Sequence, residues 1–369
     1  MLQRPRVDPK RVLMTVDAVG GVWRHAMELG TALAARGIEV IFAGLGPLPA
    51  KAQREEAERI GRLAWLDAPL DWMVEEDAAL NKVPDVIGAL AADVNADLLH
   101  LNLPSQAARL QVNAPVLVVS HSCVVTWLHG VRRQSVPASW HWQASLNRAG
   151  FDAARAVVAP SHSHAAMLEI CYGPIRGLTV IPNGIDGSPP DPSGPREDFI
   201  FAAGRWWDEG KNGRVLDEAA AMISWPVMAA GPTRGPNGQS FSFRNAKSLG
   251  EESNREVRQA MARAGIVVSP SIYEPFGLAA LEAARAGSAL VLADIPTYRE
   301  LWGKAAIFAD PYDPAAFGAA IETLIGDRAL RHELGRQALK RSKRYATAAQ
   351  AEAFLALYRQ LMAASLPVP

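Results

Sequence analysis

Two glutamates, Glu274 and Glu282, have the spacing and surroundings that most clearly suggest chemistry. Seven residues separate them, including Phe276, Gly277 and Leu278. The pattern predicts a strand, then a loop that exposes Glu274, then a helix that begins near Gly277. Free N–H groups at a helix start can bind a phosphate, and a loop carboxylate can accept hydrogen bonds from hydroxyl groups. The alternative is a pair of surface glutamates beside a helix cap.

Arg205 and Lys211 form a second candidate set, in the segment AAGRWWDEGKN. Both follow an apolar strand and a glycine, and open α/β sheets bind ligands at the carboxyl ends of their strands. Two fixed cations at that place would stabilise a departing anion more than a bound, unreacted one. The alternative is a solvated Arg and Lys in a polar loop.

Gly20 and Gly21 link the first predicted strand to the first predicted helix. Because glycine has no side chain, the backbone can approach a ligand closely there, and the helix start offers N–H donors. Taken alone, a glycine pair before a helix is usually only a tight turn. The first half of the chain lacks a full G-x-G-x-x-G pattern, which argues against a nicotinamide dinucleotide site.

His121 lies at the end of the strand candidate APVLVVSHS. An isolated histidine is more often a structural residue than a functional one. His25, on the first predicted helix, is a weaker candidate. Four further histidines have no clear partner in the sequence and are predicted to be structural or exposed: His129, His141, His162 and His164.

An aromatic and basic cluster follows His121 in the first half of the chain. Such a cluster can stack sugars or touch a lipid headgroup, although core packing of the tryptophans explains it equally well. Its members are Trp127, Arg132, Arg133, Trp140 and Trp142.

The elements that must position these residues form a repeating pattern of strands and helices. In the first half, the predicted strands are apolar segments typical of strands buried on both faces: RVLMTVDAV, IEVIFAGL, DLLHLN, APVLVVSHS, AVVAPS and LTVIPNGID. The predicted helices cover residues 22–37, 105–111, 140–154 and 162–171. This alternation predicts a parallel α/β sheet.

The second half repeats the pattern. Its predicted strands are FIFAAGR, PVMAAG, IVVSPS, SALVLAD and AAIFAD. Its predicted helices cover residues 212–223 and 278–286 and the amphipathic segments AAFGAAIETLIG and AQAEAFLALYRQLMAA. A polar, Gly- and Pro-rich stretch, residues 232–247, is predicted to be an extended loop whose role is open.

Two Rossmann-like, doubly wound α/β domains are therefore predicted. Residues 187–198 are rich in Pro, Ser and Asp and show no periodicity, so the domain connection is predicted there. The predicted domains are residues 1–186 and 187–345. Residues 346–369 are predicted to form a C-terminal helix that packs back on the first domain.

Taken together, these motifs resemble those of the family-4 (group 1) retaining glycosyltransferases, and the resemblance covers essentially the whole chain. It implies the GT-B fold, with an acceptor-binding first domain facing a donor-binding second domain across a cleft. The implied donor is a nucleoside diphosphate sugar. Glu282, about two turns into its helix, would bind the ribose, and Glu274 would bind the sugar hydroxyls.

The resemblance also implies roles for the remaining candidates. Arg205, Lys211 and the helix start at Phe276, Gly277 and Leu278 would hold the diphosphate. His121 would face the donor sugar near the transferred carbon, and Gly20–Gly21 match the glycine pair of the first domain. The implied catalytic residues are thus His121, Glu274, Arg205 and Lys211.

Asn183–Gly184 in VIPNGID resembles the family's entry to the hinge. There glycine would permit the turn, and asparagine would tolerate left-handed backbone.

The implied reaction transfers a hexosyl group to an acceptor hydroxyl with retention of configuration, through a front-side, ion-pair-like substitution. Because two cations would already neutralise the diphosphate, no metal cofactor is expected. The sequence leaves open the donor base and sugar, the pathway, and whether the acceptor is a saccharide, a lipid-linked saccharide or a small metabolite. Other open interpretations are a non-catalytic carbohydrate-binding protein, a sugar-nucleotide epimerase, a phosphorylase and a nicotinamide oxidoreductase.

Composition narrows the partners and the compartment. Lys plus Arg and Asp plus Glu each number 38, so no net charge points to a nucleic acid partner. Cys123 and Cys171 lie in apolar stretches and are expected to be free thiols in a reducing compartment. Without a signal core or a long apolar run, a cytoplasmic location is expected. Peripheral contact with the inner membrane face and the oligomeric state stay open.

Overall fold

A computed structural model describes residues 8–186 and 195–365 of the chain. These residues divide into two units. The first unit contains the residues up to Gly184 together with the later helix Thr347–Ser365, and the second contains Ile185–Ala346. Residues 187–194 of the predicted domain connection lie outside the described residues, and Glu197 and Asp198 at its end already belong to a strand.

The first unit is built on a parallel sheet. Its strands among the described residues are β1 Arg11–Asp17, β2 Glu39–Leu45, β3 Arg62–Trp65, β4 Leu98–Leu101, β5 Val116–Val119, β6 Ala156–Ala159 and β7 Leu178–Val180. Their order is β3-β2-β1-β4-β5-β6-β7. The chain therefore changes direction across the sheet at β1, which lies between β2 and β4. Such a point opens a crevice at the carboxyl ends of the strands.

Helices cover both faces of this sheet. They are α1 Gly21–Ala34, α2 Lys51–Ile60, α3 Val83–Asp93, α4 Val124–Trp127, α5 His141–Ala153 and α6 His162–Tyr172. Alternate strand residues face two separate cores, with Leu13 and Ile41 in one and Met14 and Phe42 in the other. This two-sided burial explains why the strands are apolar throughout.

The second unit repeats the arrangement. Its strands among the described residues are β8 Glu197–Ala203, β9 Val227–Ala230, β10 Lys247–Gly250, β11 Ala264–Ser269, β12 Ala289–Ala293 and β13 Ile307–Ala309. They are parallel, in the order β10-β9-β8-β11-β12-β13. The direction changes at β8, which lies between β9 and β11. The carboxyl ends of β8 and β11 thus flank the crevice of this unit.

The helices of the second unit complete the fold. They are α7 Gly213–Ala220, α8 Asn254–Arg263, α9 Leu278–Arg285, α10 Pro296–Trp302, α11 Pro314–Gly326 and α12 Arg328–Ser342. The next helix, α13 Thr347–Ser365, belongs to the first unit, where it buries Phe354 and Tyr358. Both units are Rossmann-like α/β domains, as the sequence predicted.

Several elements differ from the sequence predictions. The strands β3 and β10 and the helices α2, α3, α4, α8, α10 and α12 were not predicted. The helix predicted over 105–111 is only a short 3-10 turn, Pro104–Ala107. It stops because the next residue, Ala108, has extended backbone, and Arg109 after it is left-handed, with φ of 62°. Neither Asn183 nor Gly184 has left-handed backbone, and Asn183 is fixed by a side-chain hydrogen bond to His25.

The loop at 232–247 is held by one buried carboxylate. Asp217, on α7, accepts backbone hydrogen bonds from Arg244, Asn245 and Ala246 at 3.0, 2.8 and 2.9 Å. An antiparallel bridge between Arg234 and Ser240 closes the loop tip. The predicted extended loop is therefore a folded segment of the second unit.

The cysteines and the length of the apolar helices were also predicted from the sequence. Both cysteines are free, as predicted, and Cys123 is buried. Within the described ranges, no helix has the length and apolar character needed to cross a bilayer.

Candidate active site

Lys211 and Glu274 form an ion pair at the carboxyl edge of the second sheet. Their side chains are only 21% and 11% exposed, so the prediction of an exposed Glu274 is wrong. The reason is that the loops after β8 and β11 are tied together. Asn212, in left-handed backbone, donates its side-chain amide to the carbonyls of Pro270 and Pro311 at 3.0 and 2.6 Å. This brings Lys211 over the carboxylate.

Arg205 follows β8 and is the more exposed of the two predicted cations, at 38%. Its guanidinium lies 3.5 Å from the Asp208 carboxylate and 5.5 Å from the ring centroid of Trp207. Gly204, the residue before Arg205, packs closely against Gly231, which has φ of 119°. A Cβ on Gly231 would lie 2.0 Å from the carbonyl oxygen of Gly204. Close backbone packing therefore fixes the start of the Arg205 loop.

The start of α9 is held by a buried tyrosine. Gly277 caps this helix with φ of 87°, and a Cβ there would lie 2.7 Å from the Tyr298 ring. Burial, together with the Glu274 charge, raises the pKa of Tyr298 well above 10, and its hydroxyl hydrogen-bonds to Ser269 at 2.6 Å. The neighbouring Phe276 is buried. The N–H groups that begin at Leu278 are thus presented from a rigid turn, as the sequence predicted.

Glu282 lies one turn into α9 rather than the predicted two turns, and its side chain is 9% exposed. Its Oε1 accepts a hydrogen bond from Asn254 at 3.2 Å and lies 3.5 Å from the Nε of Arg258. Both partners belong to α8, and neither was predicted from the sequence. The Ser253–Glu256 capping box is the signal that could have located that helix.

Gly20 and Gly21 lie at the junction predicted for them. Gly20 is the extended N-cap residue of α1, and Gly21 is its first helical residue. Both follow β1, the strand at which the first sheet changes direction. Their backbone is therefore at the crevice end of the sheet.

His121 follows β5 in the first unit, and its neighbours determine its protonation. Asn102 donates its amide to the Thr15 carbonyl at 2.6 Å, so the amide oxygen faces His121 Nε2 at 2.8 Å. Because that oxygen can only accept, Nε2 carries the proton and Nδ1 keeps its lone pair. Asn102 was not predicted from the sequence, although it directly follows β4.

The half-buried His121 belongs to a histidine cluster with the buried His25 and His100. The ring centroid of His25 lies 4.4 Å from that of His121 and 5.9 Å from that of His100. Burial lowers the pKa of His25 to about 4, and burial lowers the pKa of His100 and of His121 well below 6.5. The cluster is therefore neutral at physiological pH. His100 was missed, although its position within the apolar run of β4 marked it as buried.

The aromatic and basic cluster is partly packed and partly exposed. Trp140 and Trp142 stack with ring centroids 5.8 Å apart, and Arg132 lies over the Trp127 ring at 5.1 Å. Arg132 and Arg133 are exposed, whereas the three tryptophans are half-buried. Among the other histidines, His129, His141 and His162 are exposed, while His164 is buried and hydrogen-bonds to Ser120 at 3.3 Å.

A small recess lies beside Asp71 in the first unit. Its lining includes Leu103, Gln106 and Arg109. Burial raises the pKa of Asp71 to about 6, and Ser105 donates a hydrogen bond to its carboxylate at 2.6 Å. Across the described part of the chain, no group of three or more His, Cys, Asp and Glu side chains is arranged to hold a metal ion.

The chain matches two described protein families. Residues 19–188 match the family described as Glycosyltransferase Family 4, and residues 244–341 match the family described as Glycosyl transferases group 1. The first range contains Gly20, Gly21 and His121, and the second contains Glu274 and Glu282.

Relatives with similar sequence and similar structure agree with these matches. Glycogen synthase of Mycobacterium tuberculosis (strain H37Rv) is 25% identical over 370 residues, covering 88% of this chain and 86% of that protein. Sucrose-phosphate synthase from Thermosynechococcus elongatus has a TM-score of 0.80 at 21% identity, covering 96% of this chain and 100% of that one. Anabaena Alr3699/HepE in complex with UDP-glucose has a TM-score of 0.71 at 17% identity, covering 96% and 100%.

Both halves of the chain thus carry the sequence features of one enzyme class, and the two sheets have the topology of its fold. The chain belongs to the family-4 (group 1) glycosyltransferases and has the GT-B fold.

Proposed function

We propose that this glycosyltransferase moves a hexosyl group from a nucleoside diphosphate sugar to an acceptor hydroxyl with retention of configuration. The observation that carries the proposal is the Lys211–Glu274 ion pair, next to the start of α9. A cation, a carboxylate and free helix N–H groups are then close together at the carboxyl edge of one sheet. That combination suits a ligand with both phosphates and hydroxyls.

The donor would meet partners for each of its parts. Arg205, Lys211 and the N–H groups at Leu278 would bind the diphosphate, Glu274 would accept hydrogen bonds from the sugar hydroxyls, and Glu282 would accept them from the ribose. In the free protein, Lys211 and Glu274 neutralise each other. A donor brings an anion to the ammonium and hydroxyls to the carboxylate, so both charges gain a partner.

The reaction would break the bond between the anomeric carbon and the diphosphate oxygen. The acceptor oxygen would attack the same face of that carbon, and its proton would pass to the departing diphosphate. Negative charge grows on the diphosphate in the transition state, where Arg205 and Lys211 would stabilise it. His121, neutral and with an unprotonated Nδ1, would accept a hydrogen bond near the transferred carbon. We propose that no divalent cation is needed, which transfer assays with EDTA and with Mg²⁺ would test.

The relatives suggest which substrates to test first. UDP-glucose is bound in the Anabaena Alr3699/HepE structure, and glycogen synthase and sucrose-phosphate synthase are named for saccharide products. Uridine diphosphate hexoses with saccharide or sugar phosphate acceptors are therefore the first combination, followed by lipid-linked saccharides and small metabolites.

Calorimetric titration with UDP, GDP and ADP, without added metal, tests the donor site. We expect one of the three to bind wild-type protein and Glu282→Ala to bind it at least tenfold more weakly, because a hydrogen bond to a charged group contributes about 1.5–3 kcal/mol. Glu218→Ala, which removes a glutamate of α7 whose side chain is 43% exposed, is the matched control.

Product analysis by NMR then tests the stereochemistry, with the anomeric configuration of the donor expected in the product. Nucleotide binding without any transfer would indicate a non-catalytic binding protein instead. If none of the three diphosphates binds at millimolar concentration, with or without Mg²⁺, the proposal is wrong.

A further inference from the structure

Two side chains of α8 contact the same oxygen of Glu282. Asn254 donates its side-chain amide to Oε1 at 3.2 Å, and the Nε of Arg258 lies 3.5 Å from that atom. Within the described residues, no hydrogen bond involves Oε2, and both contacts from α8 are made to Oε1. One side of the carboxylate is thus held by the protein, and the lone pairs on the other side are available to a ligand.

The local sequence explains why α8 can do this. Ser253 caps the helix, and the Glu256 carboxylate accepts a hydrogen bond from the Ser253 backbone N–H at 2.9 Å, so the first turn is fixed. Asn254 and Arg258 are four residues apart and therefore lie on the same face of α8. That face packs against α9, which carries Glu282.

Arg258 is itself fixed at two points. Besides approaching Glu282, its guanidinium donates to the backbone carbonyl of Asp186 at 3.3 Å. Its side chain is 22% exposed and that of Glu282 is 9% exposed, so solvent screens this pair less than a surface pair. A guanidinium held in this way fixes the orientation of a carboxylate better than a single mobile cation does.

We propose that Arg258 and Asn254 are positioning residues for ribose recognition, which orient Glu282 so that Oε2 accepts hydrogen bonds from the ribose hydroxyls. This inference rests on the proposed function, in which Glu282 binds the ribose of the donor. The two residues do not contact the ligand. They act by keeping the carboxylate in the orientation that binds a vicinal diol before the donor arrives, so that binding does not have to order it.

A ligand-substitution cycle tests this role. The probes are whichever of UDP, GDP and ADP binds wild-type protein most tightly, and its 2′,3′-dideoxy analogue, which lacks both ribose hydroxyls. Dissociation constants are measured by calorimetry for wild type, Arg258→Ala and Asn254→Ala. Arg255→Ala is the matched control, because it removes the same charge from an exposed position on the same helix.

We expect Arg258→Ala to weaken binding of the complete diphosphate about tenfold and Asn254→Ala to weaken it less, since hydrogen bonds to a charged group contribute in this range. Binding of the dideoxy analogue should change less than twofold in either variant, because the carboxylate then has no diol to bind. Arg255→Ala should match wild type with both ligands.

Equal losses with both ligands would overturn the inference, since they would indicate general damage to the second unit or direct contact with the diphosphate. No loss in either variant would also overturn it. If wild type prefers the complete diphosphate but Arg258→Ala does not change that preference, the proposed function stands and this inference fails. If wild type binds no diphosphate, both fail.

Discussion

At the residue scale, burial shifts the pKa values of several titratable side chains in the first unit. His25, with a pKa lowered to about 4, and Asp71, with a pKa raised to about 6, both favour their neutral forms because desolvation penalises charge. For His121 this has a chemical consequence. A neutral ring whose Nε2 proton is held by Asn102 can offer Nδ1 only as an acceptor.

The buried Asp71 should make the stability of the protein depend on pH. Its pKa of about 6 lies above the value of 3.8 expected in the unfolded chain. The contribution of the buried carboxyl to the free energy of unfolding is therefore fully present below pH 3.8 and is lost as pH rises through 6. Asp71→Asn keeps an acceptor for Ser105 without this loss. Between pH 4 and pH 8, we expect the free energy of unfolding of the variant to rise above that of wild type by up to about 3 kcal/mol.

Urea unfolding at several pH values measures this difference. Asp67→Asn, at an exposed position in the same segment, should show no such gain. Parallel stability curves for wild type and Asp71→Asn would contradict the prediction.

At the element scale, the buried strands and the loops after them could be predicted because parallel strands are apolar throughout. The helices α2, α8 and α12 could not, because each is mostly polar and buries only a few residues, such as Ala57 in α2. The spacing of Glu274 and Glu282 located both glutamates near one helix start. It could not reveal the Lys211–Glu274 pair, which depends on β8 and β11 being neighbours although 63 positions separate the two residues.

The close contact between Gly204 after β8 and Gly231 after β9 is expected to contribute to stability. Gly231→Ala would place a Cβ against the Gly204 carbonyl oxygen and would force φ of 119° on an alanine. We expect it to cost about 2–4 kcal/mol and to weaken nucleotide binding, because the start of the Arg205 loop must move.

Gly238→Ala separates the effect of backbone strain from the effect of a steric clash. That residue also has positive φ, 82°, but nothing lies within 4 Å of its added Cβ. Denaturant unfolding of both variants should show a loss of about 1 kcal/mol for Gly238→Ala. Equal losses would show that the close approach to Gly204 has no effect of its own.

At the scale of the whole molecule, the chain begins one α/β unit, builds a second and then returns to the first. The returning helix α13 buries Phe354, Tyr358 and Leu361 in the first unit. The Tyr358 hydroxyl hydrogen-bonds to Nδ1 of the buried His100 at 2.7 Å. The histidine cluster is therefore supported by a helix that lies far along the chain.

Tyr358→Phe tests this support. Removing the hydroxyl leaves a buried ring nitrogen of His100 without its partner, which should cost the first unit about 1–3 kcal/mol. Hydrogen exchange should then quicken in β4 and α13 but not in residues 197–346. Tyr312→Phe, at a position 44% exposed, is the control and should change neither unit. Uniform quickening in both units would contradict the prediction.

The position of α13 also sets an order for folding during synthesis. On the ribosome, the first unit cannot complete the core that contains Phe354, Tyr358 and Leu361 until α13 has emerged. Ile185–Ala346 must be translated in between, which takes roughly 10 to 30 s at about 5–20 residues per second. The second unit, whose sequence is continuous, can complete its core first. The nascent first unit therefore keeps part of this core uncovered through that interval, and we expect a chaperone to bind the protein in this form.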